Sequence, residues 1–209
     1  MSDRAEIFQR HYEDYLAQVV KVDLEAVAER LGLEREGDGF CLRFFGQPFL
    51  VSPKGLTDEA GGEPDYVAAV VLCQYILLCP EAPFPDERWS SFREFKAVSH
   101  FTNVNFFASD TERALGKVFA GRAGELRRAC RALGGVEEPL DISYDCAYRF
   151  KALPRIDLLM LFNDGDEEFP ADGTVLFLAQ SEQYLDPESL IIASATLVKK
   201  LKAVAGSPS

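Results

Sequence analysis

Apolar residues recur at helical spacing through much of the first two-thirds of the chain. Over residues 3–20 they are separated by three or four positions, which predicts an amphipathic helix. Asp23 is a typical N-cap for a second, shorter helix. The apolar run over residues 67–79 predicts a buried helix, because it is shorter than the ~20 residues that cross a bilayer. Two further helices are expected over residues 109–119 and 126–133.

Two regions have the pattern of β-strands instead. Residues 40–52 form two apolar segments around a Gly46-Gln47 turn, which predicts a small β-hairpin, and Pro48 suggests an edge strand there. In the last third, apolar side chains alternate over residues 142–150, and two more apolar segments follow at 156–162 and 174–179. Their short connections favour an antiparallel meander, since parallel strands need crossovers of a dozen or more residues.

These patterns together predict an α+β fold that forms a single domain over residues 1–209. Its N-terminal two-thirds are helical with a small β-hairpin, and its C-terminal part is an antiparallel β-meander. Asp186-Pro187 is typical of a helix start, so we expect a final helix to close the meander.

Charge and cysteine content restrict the partners and the compartment. Thirty-four acidic against 22 basic residues give a net charge of −12, which disfavours binding to nucleic acid or to anionic membranes. Five widely spaced cysteines in a chain of this length indicate a reducing cytoplasm, not a disulfide scaffold. Residues 1–10 are polar and mixed in charge, unlike an export signal. A cytoplasmic protein with a small-molecule or protein partner is therefore expected.

The strongest local feature is an acidic segment that directly follows the apolar strand at 156–162. Asp164, Asp166, Glu167 and Glu168 are close enough to repel one another, so at least one pKa should rise or a cation should bind. A calcium loop of the EF-hand type does not fit the spacing, whereas Mg²⁺ or Mn²⁺ needs only two or three carboxylates. The alternative is a solvated hairpin turn without a ligand.

A second group of candidates precedes that segment. Asp145 and Arg149 are four positions apart on a predicted strand and share a face, opposite to Tyr144, which predicts an ion pair or an anion site. Arg155 could neutralise Asp164, or it could join Arg149 in holding a carboxylate or phosphate. His100 is a candidate acid or base, with a structural histidine as the alternative.

The stretch over residues 113–131 is rich in arginine, and its basic helical face could dock on the acidic last third of the chain or bind an acidic protein partner. The HExxH, GxSxG and CxxC motifs are absent, so the corresponding protease, hydrolase and redox classes lack support.

Three segments of the last third form a recognisable set: Leu153-Pro154-Arg155-Ile156, Phe162-Asn163-Asp164-Gly165-Asp166-Glu167-Glu168-Phe169-Pro170, and Tyr184-Leu185-Asp186-Pro187. Together they resemble a family of prokaryotic proteins that carries a domain-of-unknown-function label. The resemblance implies no established activity. The leading hypothesis is an accessory protein that binds a small ligand or divalent cation at the acidic turn. The alternatives are an enzyme with a raised-pKa carboxylate as general base, and an interaction module that uses the basic helices.

Overall fold

The computed structural model describes residues 3–95 and 103–206, and the side chains of residues 10–95 and 104–206. His100 therefore lies outside the described residues. The α-helices are α1 (Asp3–Val19), α2 (Leu24–Leu31), α3 (Tyr66–Leu77), α4 (Asn103–Phe107), α5 (Arg113–Phe119), α6 (Ala123–Ala132) and α7 (Pro187–Gly206). Helices and antiparallel sheets together make an α+β protein. None of the described helices is long and apolar enough to span a bilayer.

The predicted hairpin is part of a larger first sheet. Its four antiparallel strands, paired in chain order, are β1 (Glu34–Glu36), β2 (Gly39–Phe44), β3 (Gln47–Ser52) and β4 (Gly55–Asp58). The predicted edge position of Pro48 is wrong, because β3 lies between β2 and β4. The strand tolerates this proline because pairing with β4 begins one residue later, at Phe49.

The second sheet contains the predicted meander and extends it at both edges. Its antiparallel order is β5-β9-β8-β7-β6, with β5 (Trp89–Ser91), β6 (Val136–Glu137), β7 (Cys146–Leu153), β8 (Ile156–Asn163) and β9 (Asp172–Leu178). Strand β7 begins at Cys146, later than the alternation from 142 predicted, and Ile142 is 70% exposed. Pairing stops there because the Asn163 side chain, not a backbone carbonyl, accepts the Asp145 N–H.

Helices α4 and α5 are joined by one π-helical turn over Ala108–Glu112. The helix expected to start at residue 109 therefore starts earlier, and Ser109 is not an N-cap: its hydroxyl donates to the Phe106 carbonyl. The buried Thr111 hydroxyl of this turn lies 2.9 Å from the buried Ser194 hydroxyl of α7, and their hydrogen bond joins the turn to that helix.

One hydrophobic core unites both sheets and the helices. Buried side chains of β2, β3, β7, β8 and β9 form a contiguous cluster with those of α3, α5, α6 and α7. Along β7, Tyr148 and Phe150 face this cluster, whereas Arg149 and Lys151 point to the other side and are exposed. The period of two thus orients β7 as predicted.

Candidate functional site

The acidic segment begins at a carboxylate that accepts hydrogen bonds from the start of helix α6. Asp164 Oδ1 accepts the N–H groups of Gly121 at 2.6 Å and Gly165 at 2.9 Å, and Oδ2 accepts that of Ala123 at 3.3 Å. Arg122, the N-cap residue of α6, supplies no side-chain cap. Asp164 therefore serves as the cap from another part of the chain, and the positive partner of this carboxylate is the end of a helix.

The rest of the acidic segment is a self-capped turn. Asp166 Oδ1 accepts the N–H groups of Glu168 and Phe169, both at 2.8 Å. Backbone hydrogen bonds lower the pKa of Asp164 and of Asp166, so these two carboxylates do not have the rise that crowding was expected to produce. Glu167 and Glu168 are exposed, and the described residues contain no group of three His, Cys, Asp or Glu arranged for a metal. The Mg²⁺ or Mn²⁺ site stays a prediction.

Asp145 lies beside the acidic segment, as part of the same corner of the fold. Asp145 Oδ2 accepts the Asp164 N–H at 2.7 Å, and Arg127 Nε donates to the Asp145 carbonyl at 3.0 Å. The preceding Tyr144 is half-buried. The structure thus brings Asp145 and Asp164 together at the end of β8, where both side chains accept backbone N–H groups.

Arg149 is an ion-pair residue, with partners other than the expected Asp145. Its guanidinium lies 3.3 Å from Glu138 and 3.7 Å from Asp157. Asp157 is buried and also pairs with Lys151 at 2.6 Å. The geometry assigns Arg149 to a charge network with Glu138, Asp157 and Lys151.

Arg155 lies at the opposite end of β8 from Asp164, so the proposed pairing of these two residues is wrong. The strand between them is eight residues long, which corresponds to roughly 25 Å. Arg155 instead donates from Nε to the Arg30 carbonyl at 2.9 Å and from Nη2 to the Glu29 carbonyl at 2.7 Å. A cation on these carbonyls complements the C-terminal end of α2.

Beside these contacts is a cavity of about 530 Å³, which we name the arginine cavity. It is lined by Glu29, Arg30, Pro83, Phe84, Pro85, Glu87, Arg155, Gln180 and Tyr184. Arg30 Nε is buried and has no hydrogen-bond partner among the described residues. Burial raises the pKa of Tyr184, and the nearby Arg155 guanidinium opposes that rise. Two guanidinium groups and a buried tyrosine thus share one polar cavity.

The proline-rich segment 79–88 forms one wall of this cavity and is held in place at several points. Gln183 makes a reciprocal pair with the backbone of Phe84, with distances of 3.1 and 2.9 Å. Gln180 accepts the Asp86 N–H and donates to the Arg155 carbonyl. Arg30 Nη1 donates to the Glu81 carbonyl at 3.1 Å. The wall is therefore fixed by Gln183 and by two of the side chains that line the cavity, Arg30 and Gln180.

Sequence reasoning identified Arg155 and missed Arg30, Gln180 and Tyr184. Arg30 is the last-turn cation of a short amphipathic helix, which is an ordinary surface pattern. The prolines did mark the wall as a loop. Only the tertiary contact between residues 125 positions apart joins Arg30 to Arg155.

A carboxyl group with a raised pKa lies elsewhere in the molecule. Burial raises the pKa of Glu112, in the π-helical turn, and the neighbouring Asp172 adds to the rise while Arg93 opposes it. The hypothesis of an enzyme with a raised-pKa carboxylate as general base stays a prediction.

This arrangement defines an α+β protein with a polar, arginine-lined cavity and a helix-capping acidic turn. A family model described as "Domain of unknown function (DUF3786)" matches residues 23–200, and the chain belongs to that family. The match includes the arginine cavity and the acidic turn. Neither the curated proteins nor the solved structures contain a match to this chain.

Proposed function

We propose that this protein binds a small molecule that carries a carboxylate or phosphate group, in the arginine cavity. The observation that carries the proposal is the pair of guanidinium groups, Arg30 and Arg155, in one cavity of about 530 Å³. Such a volume is typical of small-ligand sites. Arginine is the side chain best suited to planar oxyanions, because it offers several donors in a fixed geometry.

The hydrogen-bond inventory of the cavity supports an anionic ligand. The Arg30 side chain uses Nη1 on the Glu81 carbonyl and leaves Nε buried without a partner. That nitrogen has almost no accessible surface, so an oxyanion in the cavity is held by the other nitrogens of the Arg30 and Arg155 guanidinium groups, through charge-assisted hydrogen bonds. Glu29 and Glu87 line the same cavity and are exposed. They would repel a second negative charge, which favours a ligand with a single anionic group.

The acidic turn, where the sequence predicts a divalent cation or a small ligand, is the weaker candidate for a binding site. Both oxygens of Asp164 and one oxygen of Asp166 already accept backbone N–H groups. A cation would have to compete with these bonds, and the remaining Glu167 and Glu168 are exposed.

The proposal is tested by isothermal titration calorimetry at constant ionic strength, with inorganic phosphate and acetate as the two probes. We expect saturable binding of at least one probe. Arg30→Gln should weaken it at least tenfold, equivalent to about 1.4 kcal/mol, because a charge-assisted hydrogen bond is lost.

Arg128→Gln is the matched control, since Arg128 is exposed on α6 and outside the cavity. It removes the same charge and should leave the affinity unchanged. If both substitutions weakened probe binding equally, only the net charge of the protein would matter. The site would be refuted if neither phosphate nor acetate bound. Arg155→Gln is informative only alongside its melting curve, because Arg155 also holds α2.

A further inference from the structure

A second cavity, which shares no residue with the arginine cavity, lies between helix α7, the start of α3 and the β2–β3 hairpin. Its volume is about 390 Å³. We name it the α7 groove. On the α7 side it is lined by Ile192, Ala195, Thr196, Lys199, Lys200 and Ala203, which recur every three or four positions along one helix face. From Ile192 to Ala203 this face is about 16 Å long.

The opposite wall of the α7 groove is also mostly apolar. Phe44 of the hairpin and Ala68 of α3 are buried, whereas Val67 is 39% exposed beside them. The alanines on both sides leave the recess open. The volume of the α7 groove lies within the ~300–1,000 Å³ that is typical of ligand pockets. Its concave apolar surface therefore suits a small ligand with an apolar part.

The polar groups of the α7 groove differ in whether they are already satisfied. Asp65 accepts the N–H groups of Val67 and Ala68, and the Thr196 hydroxyl donates to the Ile192 carbonyl. Lys199 and Lys200 form no ion pair within the described part of the chain, although the protein carries twelve excess negative charges. Two unpaired ammonium groups therefore stand beside an apolar recess.

From this combination we infer that the α7 groove binds a free, amphipathic monoanion, namely a medium-chain carboxylate. The carboxylate contacts the ammonium groups of Lys199 and Lys200, and the hydrocarbon chain lies along Ala195 and Ile192 toward Val67. The apolar lining removes the chain from water, which supplies most of the affinity. The lysines supply selectivity for an anion over a neutral chain of equal length.

The test uses sodium decanoate below its micelle concentration and 1-decanol as its neutral counterpart, with Kd measured by ligand-observed NMR. Decanoate should bind more tightly than decanol. Lys200→Glu should weaken decanoate at least tenfold and leave decanol unchanged, because only the head-group contact is reversed. Ala195→Phe should abolish binding of both molecules, because the ring fills the recess.

Lys202→Glu is the matched control. Lys202 belongs to the same helix, is exposed and does not line the groove. The Kd of decanoate for the Lys202→Glu variant should therefore be unchanged. Decanoate binding that survives both Ala195→Phe and Lys200→Glu overturns the proposal, as does the absence of decanoate binding.

Two other occupants are distinguished by parallel measurements on the unaltered protein. Binding to phosphatidylglycerol vesicles without binding of monomeric decanoate would identify a membrane surface and overturn the proposal. Concentration-dependent dimerisation that Ala195→Phe abolishes, again without decanoate binding, would identify a second copy of the chain and overturn it too.

Discussion

Asp164 is the residue whose role changes most between the sequence and the structure. In the sequence it is one of four crowded carboxylates, and in the structure it accepts two backbone N–H groups at the start of α6 and a third from Gly165. The neighbouring carboxylates differ from one another. Asp166 accepts two N–H groups of its own turn, whereas the carboxylates of Glu167 and Glu168 are exposed and contact no partner among the described residues. A pattern of charges therefore did not indicate which oxygens remained available for a ligand.

We expect Asp164→Asn to destabilise the protein by about 1 kcal/mol at pH 7, since it weakens a helix cap. Urea unfolding with and without Mg²⁺ measures the effect. The hydrogen bonds lower the pKa of Asp164, so its contribution is present above the unfolded pKa and is lost as pH falls through the folded value. The penalty should therefore shrink in acid. A penalty that appears only when Mg²⁺ is present would instead support the cation site.

Helix α5 and strand β9 approach each other so closely that two glycines are required at their contact. A methyl group on Gly173 would lie 2.7 Å from Leu115 Cβ, and one on Gly116 would lie 2.7 Å from the Ala171 carbonyl oxygen. This contact fixes α5 against the sheet and places the following turn, with Gly121, where Asp164 reaches it.

Gly173→Ala should cost about 1–3 kcal/mol, because the added methyl overlaps Leu115 and the backbone must shift. The matched control is Gly124→Ala in helix α6, where a methyl group has nothing within 4 Å. That substitution should stabilise the protein by about 0.5–1 kcal/mol, since alanine is the better helix former. Equal effects in thermal unfolding would contradict the close contact at Gly173.

On the scale of the whole molecule, Tyr75 joins parts of the chain that are far apart in sequence. Its buried hydroxyl donates to the Leu31 carbonyl at 2.7 Å and accepts the Arg155 N–H at 3.1 Å. The end of α2, helix α3 and the β7–β8 turn thus meet at one oxygen. This junction also positions Arg155 at the arginine cavity.

Tyr75→Phe should destabilise the protein by about 1–3 kcal/mol, because it leaves a buried carbonyl and a partly buried N–H without partners. Tyr12→Phe is the control, since the Tyr12 hydroxyl is buried and has no hydrogen-bond partner in the described part of the chain. Its removal should cost little or increase stability. The free energy of unfolding of both variants is measured by denaturant unfolding. An equal loss in the two variants would refute the role of the Tyr75 hydroxyl in this junction.

Much of the fold was predictable because local patterns are strong in several elements. Asp23 caps α2 as expected, and the apolar run at 67–79 is the buried helix α3. The meander and the closing helix were also found, since alternation and an Asp-Pro start are local signals. Strands β5 and β6 were missed because three and two residues are too few for a period.

Local sequence patterns were enough to predict the longer helices and strands, their buried faces and the position of the acidic turn, since each depends on neighbours within about one helical turn or strand. Tertiary structure alone decided what these residues contact. It directed Asp164 to a helix end and Arg155 to Arg30, because such contacts are set by how whole elements pack. The two cavities have the same origin, since each is enclosed by segments that no local pattern relates.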